Sequence, residues 1–167
     1  MVITDFFLLG SILKEKCRQE ATNFSPTTEP TKTAPKKITL AFVGDVGLNR
    51  EVNWQINQRN DPTFPFQKTA EILKKADLAI GNLEGPLVEN CPLLRTGMKF
   101  CGNPKNAEGL VFAGFDLMNL ANNHISNYGP EGINQTIKTL KEYQIEYFDS
   151  EKIAFKKIDG LTIAFLG

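Results

Sequence analysis

The polar residues best suited to chemistry follow three predicted strands, at the point where each strand ends. Asp45 follows the first strand, Asn82 and Glu84 follow the second, and residues 122–124 (Asn-Asn-His) follow the third. Because ligands of an open parallel sheet bind outside the carboxyl ends of its strands, we expect these groups to face one crevice. Their oxygen and nitrogen donors suit Zn, Mn, Fe or Mg, and a pair of such ions clamps a phosphoryl group and activates a water. The pattern therefore predicts a divalent-metal site.

Each of these residues also has an ordinary structural explanation. Asp45 lies in the run Gly44-Asp45-Val46-Gly47, where an aspartate often does no more than shape a turn. His124 is the only histidine of the chain, and a lone histidine is more often packed or hydrogen-bonded than a ligand. For residues 54–60 (WQINQRN), a solvated helix face is favoured over substrate contact. The loop after the first strand matches neither GxGxxG nor a Walker lysine motif.

The elements that must position these residues alternate between strand and helix patterns. The continuous apolar run of residues 38–43 predicts a strand buried on both faces of a parallel sheet. Helices are predicted from apolar spacing and from cap residues such as Asn103, Pro104 and Gly114. The Asp159-Gly160 pair predicts a two-residue hairpin turn. The predicted helices are 66–76, 103–113 and 130–144, and the further strands are 78–80, 115–120, 145–148, 153–158 and 161–166. The class is α/β, with a βαβαβ start and a terminal β-hairpin.

Composition indicates one ordinary globular domain and argues against a polyanionic partner. Of 167 residues, 41% are hydrophobic and 23% are charged, with 19 basic and 19 acidic side chains and a net charge of zero. No basic excess is present to hold nucleic acid or an anionic membrane. An odd cysteine count gives no closed disulfide framework. Cys91 and Cys101 could pair in an oxidising compartment, but the sequence favours unpaired thiols.

Residues 1–36 differ from the rest of the chain. The apolar run of residues 6–13 (FFLLGSIL) is far shorter than the roughly 20 residues that a membrane span needs. It also makes a poor signal peptide, because Asp5 precedes it and no A-x-A-like cleavage site follows it. Residues 21–36 are rich in Thr and Pro and predict an extended linker. We therefore expect a domain boundary near Lys36.

Three ordered motifs carry a resemblance to a known family. They are AFVGDVGLNR at 41–50, the segment from ADL at 76–78 to NLEGPL at 82–87, and the segment from GFD at 114–116 to NLANNH at 119–124. Together they resemble the motifs of the bacterial CapA family, over residues 37–167. The family implies a calcineurin-like metallophosphoesterase fold, here a metallophosphoesterase-like sandwich, and a role in making or exporting poly-γ-glutamate capsule.

The resemblance also implies roles for individual residues. The predicted metal ligands are Asp45, Asn82, Glu84 and Asn123, and His124 is the predicted catalytic residue, polarising or protonating a phosphoryl oxygen. We further predict substrate contacts for three polar residues of the same motifs, namely Asn49, Arg50 and Asn122. The implied cofactors are divalent metal ions, either Mn, Fe, Zn or Mg.

The sequence departs from the family pattern at several points. Gly47 stands where many metallophosphoesterases of the wider superfamily have a histidine, an absence that resembles CapA proteins generally. Asn127 replaces the acidic residue that usually follows the Asn-His pair in the CapA pattern, removing a negative partner. The family's later histidine motifs have no counterpart here, because the chain has no second histidine. We therefore expect residues 37–167 to be a truncated domain, incomplete at its C-terminus, with weak or no phosphoesterase activity alone.

Three functional hypotheses follow. The first is a CapA-like protein with a metal-dependent phosphoesterase site, acting on a phosphorylated or polyglutamate-related substrate beside membrane-associated capsule machinery. The second is a non-enzymatic envelope or capsule assembly component on the same scaffold, and the third is a generic doubly wound nucleotide binder. A family of exported proteins and a linker of this composition predict a location in the cell envelope or outside the cell.

Overall fold

The computed structural model describes residues 37–167, and the predictions for residues 1–36 lie outside this range. A four-stranded parallel sheet has the order β1-β2-β3-β4 and is followed by an antiparallel hairpin, β5-β6. The strands are β1 (Leu40–Val46), β2 (Leu78–Leu83), β3 (Leu117–Asn119), β4 (Glu146–Phe148), β5 (Ala154–Ile158) and β6 (Leu161–Phe165). The helices are α1 (Arg50–Arg59), α2 (Ala70–Leu73), α3 (Ala107–Ala113) and α4 (Gly129–Glu142), with 3-10 turns at Phe64–Phe66, Pro104–Asn106 and Ile125–Tyr128. The predicted α/β class is confirmed.

The helix boundaries follow local cap chemistry where the sequence supplies it. The Asn103 side chain accepts the Lys105 amide at 2.9 Å and opens the turn that leads into α3, and Gly114 ends α3 in the left-handed region with φ 85°. The helix predicted over residues 66–76 is much shorter, because only Ala70–Leu73 is α-helical and its N-cap, Thr69, makes no side-chain cap bond. Asp159 and Gly160 both have positive φ, as the predicted hairpin turn requires.

Two apolar clusters cover the two faces of the parallel sheet. On the helix side, residues from α3 and α4 such as Leu110 and Leu140 pack with Met118 of β3, and all three are fully buried. On the hairpin side, Phe165 of β6 packs on Phe148, with ring centroids 5.9 Å apart. The hairpin therefore forms a second layer against the sheet.

The prediction that β1 is buried on both faces was wrong. Phe42 is 64% exposed and Val43 is 38% exposed. β1 lies at the edge of the described sheet and pairs only with β2, whereas Leu78, Ala79 and Ile80 of central β2 are buried. A continuous apolar run indicates that a strand is hydrophobic, but it does not indicate whether one or both faces of that strand are covered.

The prediction of unpaired thiols was also wrong, because Cys91 and Cys101 form a disulfide with a Cα–Cα distance of 5.9 Å. The chain after β2 lies beside the chain before α3, where the Val88 amide donates to the Gly102 carbonyl at 2.9 Å. This pairing brings the two cysteines together, and both are buried. The sequence count could not reveal it, since the pairing depends on how the two segments run past each other.

No helix in residues 37–167 has both the length and the apolar content needed to cross a membrane.

The buried face of α3 leads to a prediction about the stability of the protein. Leu110→Ala should lower the free energy of unfolding by about 2–5 kcal/mol, because it leaves a cavity at a fully buried position of α3. The next residue, Val111, is 48% exposed, and Val111→Ala should change the value by less than about 1 kcal/mol. Urea denaturation followed by circular dichroism measures both, and equal losses would contradict the described orientation of α3.

Candidate functional site

Strand register places three polar residues in a row at the carboxyl edge of the sheet. Asp45 of β1 is opposite Asn82 of β2, and Asn82 is opposite Asn119 of β3. The β1–β2 register shifts between Phe42 and Asp45, an irregularity that sets this alignment. We call Asp45, Asn82 and Asn119 the strand-end row. The strand-end row therefore forms the base of the predicted crevice. The sequence analysis did not identify Asn119 as a site residue, although a polar residue inside an apolar strand was a signal that could have found it.

Both polar atoms of the Asn122 side chain form hydrogen bonds within the protein. Its Oδ1 accepts the backbone amides of His124 at 3.1 Å and Ile125 at 2.9 Å. Its Nδ2 donates to the Leu83 carbonyl at 2.9 Å and to Asn82 Oδ1 at 3.0 Å. The backbone partners fix which end is oxygen and which is nitrogen. Asn122, predicted to contact substrate, thus shapes the turn that carries His124 and ties it to β2.

The same reasoning fixes the orientation of Asn82. Asn119 Oδ1 accepts the Ala121 amide at 3.0 Å, so its Nδ2 is the group that donates to Asn82 Oδ1 at 3.1 Å. With two donors on its oxygen, Asn82 turns its Nδ2 toward Asp45 Oδ1, at 2.6 Å. Metal binding through Asn82 Oδ1, as predicted, would require release of one donor. In this arrangement Asn82 orients the Asp45 carboxylate.

Glu84 lies beside the loop that follows β1, close to Gly47. Its Oε2 is 3.6 Å from the position that a β-carbon at Gly47 would occupy. The buried Asn49 side chain donates to the Glu84 carbonyl at 2.6 Å and so ties the two strand-end loops together. Asn49, predicted to bind substrate, is engaged in this structural contact.

A small polar cleft of about 170 Å³ opens beside Glu84, and Arg50 and Arg95 contribute to its walls. Arg95 pairs with Glu51 at 2.6 Å. Hydrogen bonds from Arg95 and then from Gln55 hold the pKa of Glu51 below its ordinary value. Among the described residues, no ion pair engages Arg50. The Arg50 guanidinium is therefore available to a ligand of the cleft, whose walls also carry the Glu84 carboxylate.

His124 belongs to a second group, which we call the Phe100 cluster and which comprises Arg50, Phe100, His124 and Asn127. The His124 ring stacks on the Phe100 ring with centroids 3.9 Å apart, and the Arg50 guanidinium carbon lies 4.3 Å from the Phe100 centroid. Arg50 has φ 46°, in the left-handed region. Arg50 and His124, predicted from separate motifs, thus meet through a residue that sequence reasoning did not identify.

Asn127 fixes the tautomer of His124. Asn127 Oδ1 accepts the Phe100 amide at 2.6 Å, so this atom is an oxygen, and it lies 3.3 Å from His124 Nδ1. A hydrogen bond between them requires the proton on Nδ1. Neutral His124 then has a free lone pair on Nε2. Asn127 therefore supplies an acceptor for the imidazole although it lacks the charge of the family's acidic residue.

The predicted metal ligands differ in the contacts that the structure gives their side chains. Asn123 is exposed, and only its backbone carbonyl takes part in a hydrogen bond, from Ser126 at 3.3 Å. Residues 37–167 bring together no group of three or more His, Cys, Asp or Glu side chains that could hold a metal. Carboxylates at Asp45 and Glu84 and the amide oxygen of Asn123 are donors of suitable type. They fit part of a metal shell and not a whole one.

The fold defines the class of this chain, an α/β domain of metallophosphoesterase-like type, and polar residues lie at the carboxyl edge of its parallel sheet. Residues 39–167 match the family described as bacterial capsule synthesis protein PGA_cap, and the chain belongs to this family. The family predicted from the three motifs is confirmed.

Curated relatives are similar over most of this chain. The capsule biosynthesis protein CapA of Bacillus anthracis is 29% identical in an alignment 143 residues long, which covers 79% of this chain and 34% of the relative. The PGA biosynthesis protein CapA of Bacillus subtilis (strain 168) is 26% identical in an alignment 140 residues long, which covers 78% of this chain and 37% of the relative. The uncharacterized protein y4sH of Sinorhizobium fredii is 29% identical in an alignment 111 residues long, which covers 63% of this chain and 23% of the relative. The chain spans about a third of the length of the first two.

The neighbouring asparagines 122 and 123 give a matched test of the site's architecture. Asn122→Ala should lower the free energy of unfolding by about 1–3 kcal/mol, because it leaves the backbone amides of His124 and Ile125 without partners. Asn123→Ala removes an exposed side chain and should change stability by at most about 0.5 kcal/mol. Thermal and urea unfolding measure both, and an Asn122→Ala protein as stable as Asn123→Ala would rule out the described network.

Proposed function

We propose that this chain takes part in capsule biosynthesis as a CapA-like protein, through the site at the carboxyl edge of its sheet. The observation that carries the proposal is the convergence of the three family motifs on that edge, where Asn82 links Asp45 to the turn that bears His124. Two relatives whose names refer to capsule and PGA biosynthesis support the process. We propose a phosphorylated or polyglutamate-related substrate, because either presents anionic groups to Arg50.

The chemistry proposed for this site is metal-dependent hydrolysis. A divalent metal held by Asp45, Glu84 and Asn123 would supply Lewis acidity and an activated water. The chain's own groups have separate tasks. Arg50 binds an anionic oxygen of the substrate, Asn82 keeps Asp45 oriented, and His124 exchanges a proton at Nε2 while Asn127 holds Nδ1.

We propose that the protein acts in the cell envelope or outside the cell, beside membrane-associated capsule machinery. The Cys91–Cys101 disulfide supports this location, because disulfides persist in oxidising compartments and are rare in the cytosol. Both sulfurs are buried against Val88 and Tyr128, so the bridge is part of the packed domain.

A second function, a non-enzymatic assembly component, is favoured by the amide network. Asn82 and Asn122 use their polar atoms in bonds within the protein, and such a scaffold would also serve binding alone. The two functions differ in their dependence on Asp45 and His124.

Capsule formation in the producing organism discriminates between them. Asp45→Ala and His124→Ala should each lower cell-associated polyglutamate several-fold with the protein level unchanged on immunoblots, because both groups act in the proposed reaction. Asn57→Ala, on the exposed face of α1, is the control and should leave the polymer at the wild-type level. Wild-type polymer in both site variants would reject the catalytic function and leave the assembly function.

The purified 167-residue chain should hydrolyse a generic phosphodiester, such as bis-p-nitrophenyl phosphate with Mn²⁺, weakly or not at all. Its described residues supply only part of a metal shell. Release of p-nitrophenol measures the rate, with the Asp45→Ala protein as the blank. Robust hydrolysis that requires both the metal and Asp45 would contradict this prediction.

Metal affinity tests the role of Asn82. Asn82→Ala should weaken Mn²⁺ binding by about 10–100-fold, the range typical of residues that orient a ligand, because Asp45 loses the donor that holds it. Isothermal titration calorimetry gives the affinity, and Asn57→Ala is again the control. Unchanged affinity in Asn82→Ala would contradict an orienting role.

A further inference from the structure

Phe100 is a buried aromatic residue at the centre of the Phe100 cluster, and it is 3% exposed. Its ring contacts two groups that the proposed function uses, the imidazole of His124 at 3.9 Å and the guanidinium of Arg50 at 4.3 Å. Arg50 begins α1 after β1, and His124 lies after β3. Phe100 is therefore a shared contact for residues that are distant in sequence.

Three contacts fix the position of Phe100 itself. Its amide donates to Asn127 at 2.6 Å. Its β-carbon lies 3.0 Å from the position that a β-carbon at Gly85 would occupy, so Phe100 packs closely on the backbone there. Its neighbour Cys101 is bonded to Cys91. The first two contacts are non-covalent, whereas the third is a covalent bond that closes the loop between Cys91 and Cys101.

The disulfide closes an exposed loop that contacts the rest of the domain through charged side chains, since Arg95 pairs with Glu51 and Lys99 lies over the Tyr128 ring. Residues 92–99 are all exposed, and they connect Cys91 to Phe100 and Cys101. The Cys101 end is also held by Tyr128, whose hydroxyl oxygen lies 3.2 Å from Cys101 Sγ. Tyr128 follows Asn127 directly, so the disulfide end of the loop and the His124 turn are in contact.

We propose that Phe100 is a positioning residue for His124 and Arg50, and that the Cys91–Cys101 disulfide holds Phe100 in place, so that the geometry of this site depends on the oxidised cysteine pair. The proposal rests on the proposed function for the roles of His124 and Arg50. It makes the oxidising compartment a requirement for an ordered site.

Opening of the disulfide by dithiothreitol is a balanced exchange. The Sγ–Sγ bond takes up two electrons and two protons to give two thiols, and dithiothreitol becomes a cyclic disulfide. The loop of residues 92–99 then loses its covalent closure next to Phe100. The expected consequence is a looser Phe100 ring and loss of its fixed stacking on His124.

The single histidine makes this directly measurable in the full chain. His124 gives the only imidazole C–H signals in a proton NMR spectrum, and stacking on Phe100 should move them upfield. Phe100→Leu should abolish that shift and Phe100→Tyr should retain it. Reduction with dithiothreitol should diminish it, and Cys91→Ser with Cys101→Ser should reproduce the reduced state. The methyl signal of Met118, fully buried in the core, shows whether each protein stays folded.

Binding of inorganic phosphate, followed on the same His124 signals, tests the positioning role beyond packing. Phe100→Leu and the reduced protein should bind phosphate about tenfold more weakly than the oxidised wild type, with Phe100→Tyr close to wild type. Wild-type affinity in folded Phe100→Leu, or an imidazole shift unaffected by reduction, would overturn the proposal. If the wild type binds no phosphate, the phosphorylated-substrate part of the proposed function fails, and the imidazole shifts alone decide whether Phe100 and the disulfide position His124.

Discussion

The site depends on two hydrogen bonds that the side-chain oxygen of Asn82 accepts. They come from Asn119 on the adjacent strand and from Asn122 on the following turn, and they leave Asn82 only its nitrogen for Asp45. Because backbone groups fix both donors, the orientation is set by the fold and not by a choice among equivalent amides. Hydrogen bonds thereby connect the ends of β1, β2 and β3, the Asp45 carboxylate and the turn that carries His124.

Much of this arrangement follows from sequence patterns, and the remainder follows from contacts between distant segments. The cap at Asn103 and the turn at Asp159 are local, since the residue type alone dictates the backbone, and both were predicted. The strand ends carrying Asp45 and His124 were also predicted. The stacking of Phe100 was not, because nothing near residue 100 indicates which segments will pack on it. The disulfide and the exposure of β1 were missed for the same reason.

Neutral amides provide most of the hydrogen bonds that order the site. Its charged groups are Asp45 in the strand-end row and, beside that row, Glu84 and Arg50, which line the cleft. Neutral hydrogen bonds each contribute modestly to stability, whereas an unpaired buried group costs more. A network of this kind specifies geometry without imposing a strong field of its own, so a bound cation or anion would dominate the local electrostatics.

The left-handed backbone of Arg50 has an implication for engineering. A non-glycine residue in that region costs about 1–2 kcal/mol, and glycine at this position would relieve it. A screen that selects only for thermal resistance would therefore tend to exchange Arg50 for glycine and discard a cation of the cleft that no ion pair engages among the described residues. The rest of the fold therefore offsets the strain at this position, where the same residue places its guanidinium over the Phe100 ring and in the wall of the cleft.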